Sequence, residues 1–158
     1  MNEAWIYEDE SGIEDSTTLL ASKASSISEV KKYVEKFSNG KIKLEYEGGI
    51  ADDDRFLLHG KELWYYENGQ KKYQAHYVFG KKSGTEIYWD FEGRKKWERN
   101  HQQNGITIWK QYWHNGEIKA KSSWRNKRCE GIAQRWDYDG NLINEAEFVD
   151  GKMVDKIR

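Results

Sequence analysis

Gly60-Lys-Glu-Leu-Trp-Tyr-Tyr-Glu-Asn-Gly69, running on through Gln70-Lys-Lys-Tyr-Gln-Ala-His-Tyr-Val78 to Phe79-Gly80-Lys81, is the stretch whose reading decides the fold. Two runs rich in aromatic and alternating residues flank Asn68-Gly69. Asn-Gly between such runs is the strongest short-range hairpin signal, since both central residues of a type I′ turn need positive φ. The segment therefore reads as strand, two-residue tight turn, strand, with a looser turn at Phe79-Gly80-Lys81.

The pattern recurs. A turn glycine, mostly preceded by Asn or Asp, stands at Gly40, Gly69, Gly93, Gly116 and Gly140, at a period of about 24 residues. A second glycine opens most units, at Gly60, Gly84, Gly105 and Gly131. The unit from Gly105 to Gly116 is two residues longer than the others, which predicts a bulge or longer loop. Looser turns are also expected at Asn104-Gly105, Asn126-Lys127 and Asp150-Gly151.

Alignment on the turn glycine exposes ladders. Tyr65, Trp89, Tyr112 and Trp136 stand four positions before it. Lys43, Lys72, Lys96 and Lys119 stand three after it, with Ile143 breaking the row. Tyr77, His101, Trp124 and Phe148 stand eight after it. The −4 and +3 positions would share one sheet face and the +8 position the other.

Composition agrees with a sheet. The 158 residues include 8 Trp, 10 Tyr, 5 Phe and no proline. Leu, Ile, Val and Phe are scarce, but a net charge of −1 and 15% aromatics argue against disorder. Aromatic rings favour strands, and their polar tips tolerate the wet surface of a thin sheet. The charge is uneven: residues 1–60 balance to −6 and residues 61–158 to +5. No run approaches a membrane span. Met1-Asn2-Glu3-Ala4-Trp5 has neither a basic start nor an apolar stretch, so no secretory signal is expected and the cytoplasm is the expected compartment. One cysteine, Cys129, excludes an internal disulfide framework.

The first part of the chain departs from the repeat. Trp5 and Tyr7 suggest a short strand over residues 3–8, followed by a polar loop. Ser26-x-x-Glu29 matches a capping box, and Val30, Tyr33, Val34 and Phe37 fall at helical spacing. A helix is therefore expected over residues 27–37. Residues 1–35 form one expected segment and 36–158 the repeat array, weak over 36–59 and clear over 60–152. Asp52-Asp53-Asp54 reads as an acidic loop between repeats.

The unit Gly-x-x-x-Trp-Tyr-Tyr-Glu-Asn-Gly-x-x-Lys, continuing to Tyr77-Val78-Phe79-Gly80-Lys81, resembles the bacterial variant of the MORN repeat. The resemblance covers 60–152 well and 36–49 weakly, and is best over 60–81. It implies a mainly β fold: an elongated twisted antiparallel meander of about five stacked hairpins, with the N-terminal strand and helix added. It further implies a non-catalytic binding role. Many bacterial members are described as the antitoxin component of a toxin–antitoxin or immunity pair, so a cognate toxin is the expected protein partner.

No catalytic constellation competes with that reading. His59, His76, His101 and His114 show no metal-ligand spacing, and no metal or other cofactor is expected. Arg128 beside Cys129 is weak grounds for a reactive thiolate. The glycines are turn residues, not a phosphate loop. Residues 81–135 hold 13 bases and 6 acids interleaved with Trp89, Trp97, Trp109, Trp113 and Trp124, a combination that nucleic-acid binders use. The acidity of the whole chain argues against that class. Trp-Tyr-Tyr hairpins also resemble repeats that bind choline or glycans, for which cation–π contact is the physics; a lipid headgroup is a related ligand. No basic amphipathic helix that would insert into a membrane is visible. The expected contact row is Tyr65, Trp89, Tyr112 and Trp136 with Lys72, Lys96 and Lys119. The alternative is the opposite face, carrying Tyr77, Trp124 and Phe148.

Overall fold

The computed structural model describes residues 24–158 and is built from two compact units, split between Gly93 and Arg94. The described residues are all β and contain no helix. The expected strand over residues 3–8 lies outside the described residues.

Residues 24–93 hold β1 (Lys31–Lys36), β2 (Ile42–Ile50), β3 (Phe56–Tyr65), β4 (Lys71–Val78), β5 (Lys81–Lys82) and β6 (Gly84–Trp89). They pair antiparallel in the order β1-β2-β3-β4-β6, with β5 also on β4. Arg94–Arg158 hold β7 (Lys95–His101), β8 (Ile106–Tyr112), β9 (Ile118–Arg125), β10 (Arg128–Cys129), β11 (Gly131–Trp136), β12 (Leu142–Val149) and β13 (Lys152–Lys156). Here the order is β7-β8-β9-β11-β12-β13, with β10 on β9. Each unit is thus a meander in which sequence neighbours are space neighbours.

The expected helix over 27–37 is a strand instead. The whole of β1 pairs with β2, from Lys31 opposite Gly48 to Lys36 opposite Ile42, so the expected boundary at 35/36 falls inside it. Tyr33 stacks on Tyr46 at 5.1 Å and meets Phe56 edge-on at 5.6 Å. Val30 and Val34 stay 46% and 45% exposed. The helical spacing therefore joined residues that face opposite ways, and cross-strand pairing overrode the local pattern.

The tight turns also differ from expectation. At Asn68-Gly69 only the glycine has positive φ (+89°). The Gly69 N–H donates to the Tyr66 carbonyl at 2.9 Å, and the Gln70 N–H donates to Asn68 Oδ1 at 2.9 Å. This is a type I turn closed by a left-handed glycine, with the Asn side chain fixing the exit. The two-residue turns with both φ positive lie where looser turns were expected. They are Phe79-Gly80 (47° and 77°), Asn126-Lys127 (48° and 63°) and Asp150-Gly151 (50° and 80°). The longer loop shifts the register between Trp64 and Tyr65, between Gln111 and Tyr112, and between Arg135 and Trp136. The bulge expected in the longer unit is therefore shared by other units. The unit is longer because Gly105 is not the counterpart of Gly60: it closes the turn from Gln102, its N–H on the Gln102 carbonyl, and Ile106 already belongs to β8.

Alternation gives each sheet an inner face that packs and an outer face. In residues 24–93 the inner face carries Tyr73, Ala75 and Tyr77 with Trp64 and Glu86. In Arg94–Arg158 it carries Trp97, Trp109, Ala133, Ala146 and Phe148, with Cys129 fully buried. Asp52-Asp53-Asp54 is a clasp. Asp52 accepts from Ser25 N and Oγ, and Asp53 pairs with Arg55.

Candidate interaction surface

The register puts Tyr65 on the outer face, opposite to Tyr77, but pairs it with Lys71 and not with the expected Lys72, which is the bulged residue and reaches over the Tyr66 ring. In Arg94–Arg158 Tyr112 likewise pairs with Ile118, and Lys119 is bulged over the Trp113 ring. Trp89 follows Tyr88, which pairs with inner Tyr73, and so faces outward. Lys96 precedes buried Trp97, and Trp136 follows inner Arg135, so both face outward too. All seven are half-buried. On the opposite face Tyr77 is 6% exposed, Phe148 is buried completely and Trp124 packs against the core holding Cys129.

The outer tyrosines are anchored by glutamates on a neighbouring strand. The Tyr65 hydroxyl donates to Glu45 at 2.6 Å, and Lys32 pairs with the same carboxylate at 2.5 Å. The Tyr112 hydroxyl donates to Glu98 at 2.7 Å, beside Lys95 at 3.0 Å and Lys110 at 3.8 Å. Hydrogen bonds from Lys32 and Tyr65 hold Glu45 below its ordinary 4.5. Burial pushes Glu98 up, but Tyr112 and Lys95 outweigh it and the carboxyl also ends low. Burial and the neighbouring Glu45 push the Tyr65 phenol up to about 12.

The turn positions supply a feature that alignment on the glycine had set aside. Tyr66 lies edge-on against Phe91 at 5.3 Å and donates to the Trp89 carbonyl at 2.8 Å. Asn68 Nδ2 donates to the Phe91 carbonyl at 3.2 Å. The arrangement repeats 47 residues on. Trp113 lies against Tyr138 at 6.0 Å and donates to the Trp136 carbonyl at 3.2 Å, and Asn115 donates to the Tyr138 carbonyl. Lys72 lies over Tyr66 at 5.5 Å and Lys119 over Trp113 at 4.9 Å, cation–π contacts that keep the stems against the rings. Phe91 and Tyr138 remain 58% and 52% exposed. The underlying period is two hairpins, not one, and reading in steps of 47 residues would have found these pairs.

In residues 24–93 the turn ends enclose a groove of about 470 Å³. Phe37, Trp64, Tyr66 and Phe91 form its aromatic wall, and Tyr65 and Lys72 of the expected row border it. An apolar groove with a few charged groups on its rim is the usual form of a recognition site.

Among the described residues no cluster of His, Cys, Asp and Glu could hold a metal ion. His59 Nδ1 accepts from the Phe79 N–H at 3.1 Å, and His101 Nδ1 meets Thr107 Oγ1 at 3.1 Å. The basic stretch 81–135 is divided between faces, with Arg99 inside, 4.6 Å from the Trp97 ring centroid and 4.7 Å from that of Trp109.

Comparison with known proteins agrees with the hairpin geometry. Residues 58–78 and 107–126 match the family model described as MORN repeat variant. The two segments are the corresponding hairpins β3–β4 and β8–β9. These two segments are therefore similar to MORN-type repeats, which generally act as protein- or membrane-binding modules without catalysis. No curated protein matches the chain.

Proposed function

We propose that this is a cytoplasmic bacterial antitoxin or immunity protein, which neutralises a cognate toxin by covering it. The observation that carries a binding role is the aromatic groove at the turn ends of residues 24–93, with Phe91 58% exposed beside it. A large exposed ring next to a preformed groove is the kind of anchor on which interfaces concentrate their energy. The contact row is Tyr65 and Lys72 at that groove, joined by Trp89, whose carbonyl accepts from Tyr66, with Tyr112, Trp136, Lys96 and Lys119 as the counterpart in Arg94–Arg158. The Glu45 and Glu98 anchors favour this reading, since they fix the rings before binding and lower the ordering cost.

The test is co-expression with the product of the adjacent gene. The expected result is restored growth and a complex that co-purifies. Phe91→Asp should lose both while keeping the wild-type circular dichroism spectrum. Absence of a complex with the wild-type protein, together with unrelieved toxicity, would overturn the proposal.

A further inference from the structure

The outer face of Arg94–Arg158 has an order of charge that the repeat does not require. On β7, β8 and β9 it is basic: Lys95, Lys96, Lys110, Lys119 and Lys121, with Glu98 the one acid. Register places Glu98 opposite Lys110, Lys110 opposite Lys121, Lys121 opposite Gln134 and Gln134 opposite Glu145. Beyond β11 the sign reverses, with Glu145 and Glu147 on β12 and Asp155 opposite Glu147 on β13, where Lys152, opposite Val149, is the one base facing the same way. The dividing strip on β11 and β12 is apolar: Ile132 and Ile143 are each 41% exposed, Val149 is 49% exposed and Trp136 lies between. Ile143 is the position at which the lysine row breaks. Among the described residues, Lys121, Glu147 and Asp155 make no ion pair.

We propose that this face docks a second copy of the chain about a two-fold axis through β11. An isologous interface must be self-complementary, each patch meeting its mate. Basic, apolar and acidic strips in that order meet the condition. Rotation about β11 lays β9 of one copy over β12 of the other, so that Lys121 faces Glu145, with Glu147 one pair further along, and Lys119 lies over Ile143. It brings Lys110 towards Asp155 and leaves Ile132 and Trp136 of the two copies in mutual contact. Sheets packed face to face bury such central side chains between them, and opposite charge at the flanks fixes the register. A nucleic acid fits this face poorly. Its phosphates would run onto Glu145, Glu147 and Asp155, and lysines cover the rings on which bases would stack, with Lys95 5.1 Å from the Tyr112 centroid.

Sedimentation over a range of concentrations tests the proposal. Wild-type protein should dimerise reversibly, and the dimer should weaken between about 50 mM and 500 mM salt as flanking charges are screened. Lys110→Glu with Lys121→Glu should weaken it more than about tenfold, as should Glu145→Lys with Asp155→Lys, by setting like charges together. Mixing the two folded variants should restore the dimer, because each then offers what the other lacks. A wild-type protein that stays monomeric at low salt overturns the proposal, whatever other protein or polyanion it binds. So does a mixture of folded variants that fails to pair. Toxin binding through the groove is read separately, by the growth assay.

Discussion

The Tyr65–Glu45–Lys32 anchor shows what one outer residue contributes. Glu45 titrates lower in the folded chain than unfolded, so its contribution is present above pH 4.5 and is lost as pH falls through the lowered value. Tyr65 titrates higher when folded, at about 12 against 10 unfolded. Its contribution is complete below pH 10 and disappears as pH rises towards 12. Thermal melts should therefore show a plateau between these limbs. Glu45→Gln should flatten the acid limb and Tyr65→Phe the alkaline one. A Tyr65→Phe profile that still falls from pH 10 to 12 as the wild type does would show that the phenol is not coupled to folding. Gly69 gives a second residue-scale test. No atom lies within 4 Å of the place a Cβ would occupy, so space is not at issue; the +89° φ is. Gly69→Ala should cost about 1 kcal/mol in urea unfolding, purely from left-handed strain, and Gly69→Asn should cost less.

At the scale of the strand, equivalent positions solve one packing problem in two ways. Lys82 on β5 pairs with Glu86 on β6 at 2.6 Å, with side chains 3% and 1% exposed, and the Tyr73 hydroxyl on β4 donates to Glu86 at 3.0 Å. Forty-seven residues on, the same places hold Cys129 and Ala133, both fully buried. Removing one partner of a buried pair leaves a charge uncompensated, so Lys82→Ala should destabilise by about 3–5 kcal/mol. The paired change Lys82→Cys with Glu86→Ala imitates the second solution and should cost clearly less. Equal costs in denaturant titration would mean that the charge itself is unimportant. This substitution of an ion pair by apolar side chains is invisible to a pattern of apolar spacing. The hairpins were legible because glycine, Asn and aromatic residues recur at fixed offsets, a local signal. The β1 strand was not legible, because Tyr33 is placed by Tyr46 and Phe56, more than ten residues away along the chain. The turn class was misplaced for a related reason. The Asn68 side chain takes the Gln70 N–H and so keeps Asn68 itself out of the left-handed region. Of the expected row, the outward placement of Tyr65 and Tyr112 was readable from alternation, but the bulges at Lys72 and Lys119 were not. The Tyr66–Phe91 and Trp113–Tyr138 pairs were not, since they join successive turns, and a single-hairpin alignment treats those turns as copies.

Across the whole chain, stability follows from stacking. A hairpin alone is marginal, and in a repeat array each unit is held by its neighbours, so stability approximates a sum of unit and nearest-neighbour terms. Strands with two partners should therefore open last. In residues 24–93, β3 lies between β2 and β4 and β4 between β3 and β6, whereas β1 pairs with β2 alone. In Arg94–Arg158, β8, β9 and β11 are flanked on both sides, whereas β13 pairs only with β12. The buried residues track this order, with Tyr73, Ala75, Trp109, Ala120 and Ala133 all on doubly flanked strands. By contrast Val34 on β1 and Val154 on β13 are 45% and 57% exposed. Amide hydrogen exchange should accordingly show slow exchange for β3, β4, β8, β9 and β11 and fast exchange for β1 and β13. At dimer-forming concentration the protection of β9, β11 and β12 should rise further, while that of β3 and β4 stays constant. Uniform protection across every strand would mean that the chain opens only as a whole, and the nearest-neighbour account would then be wrong.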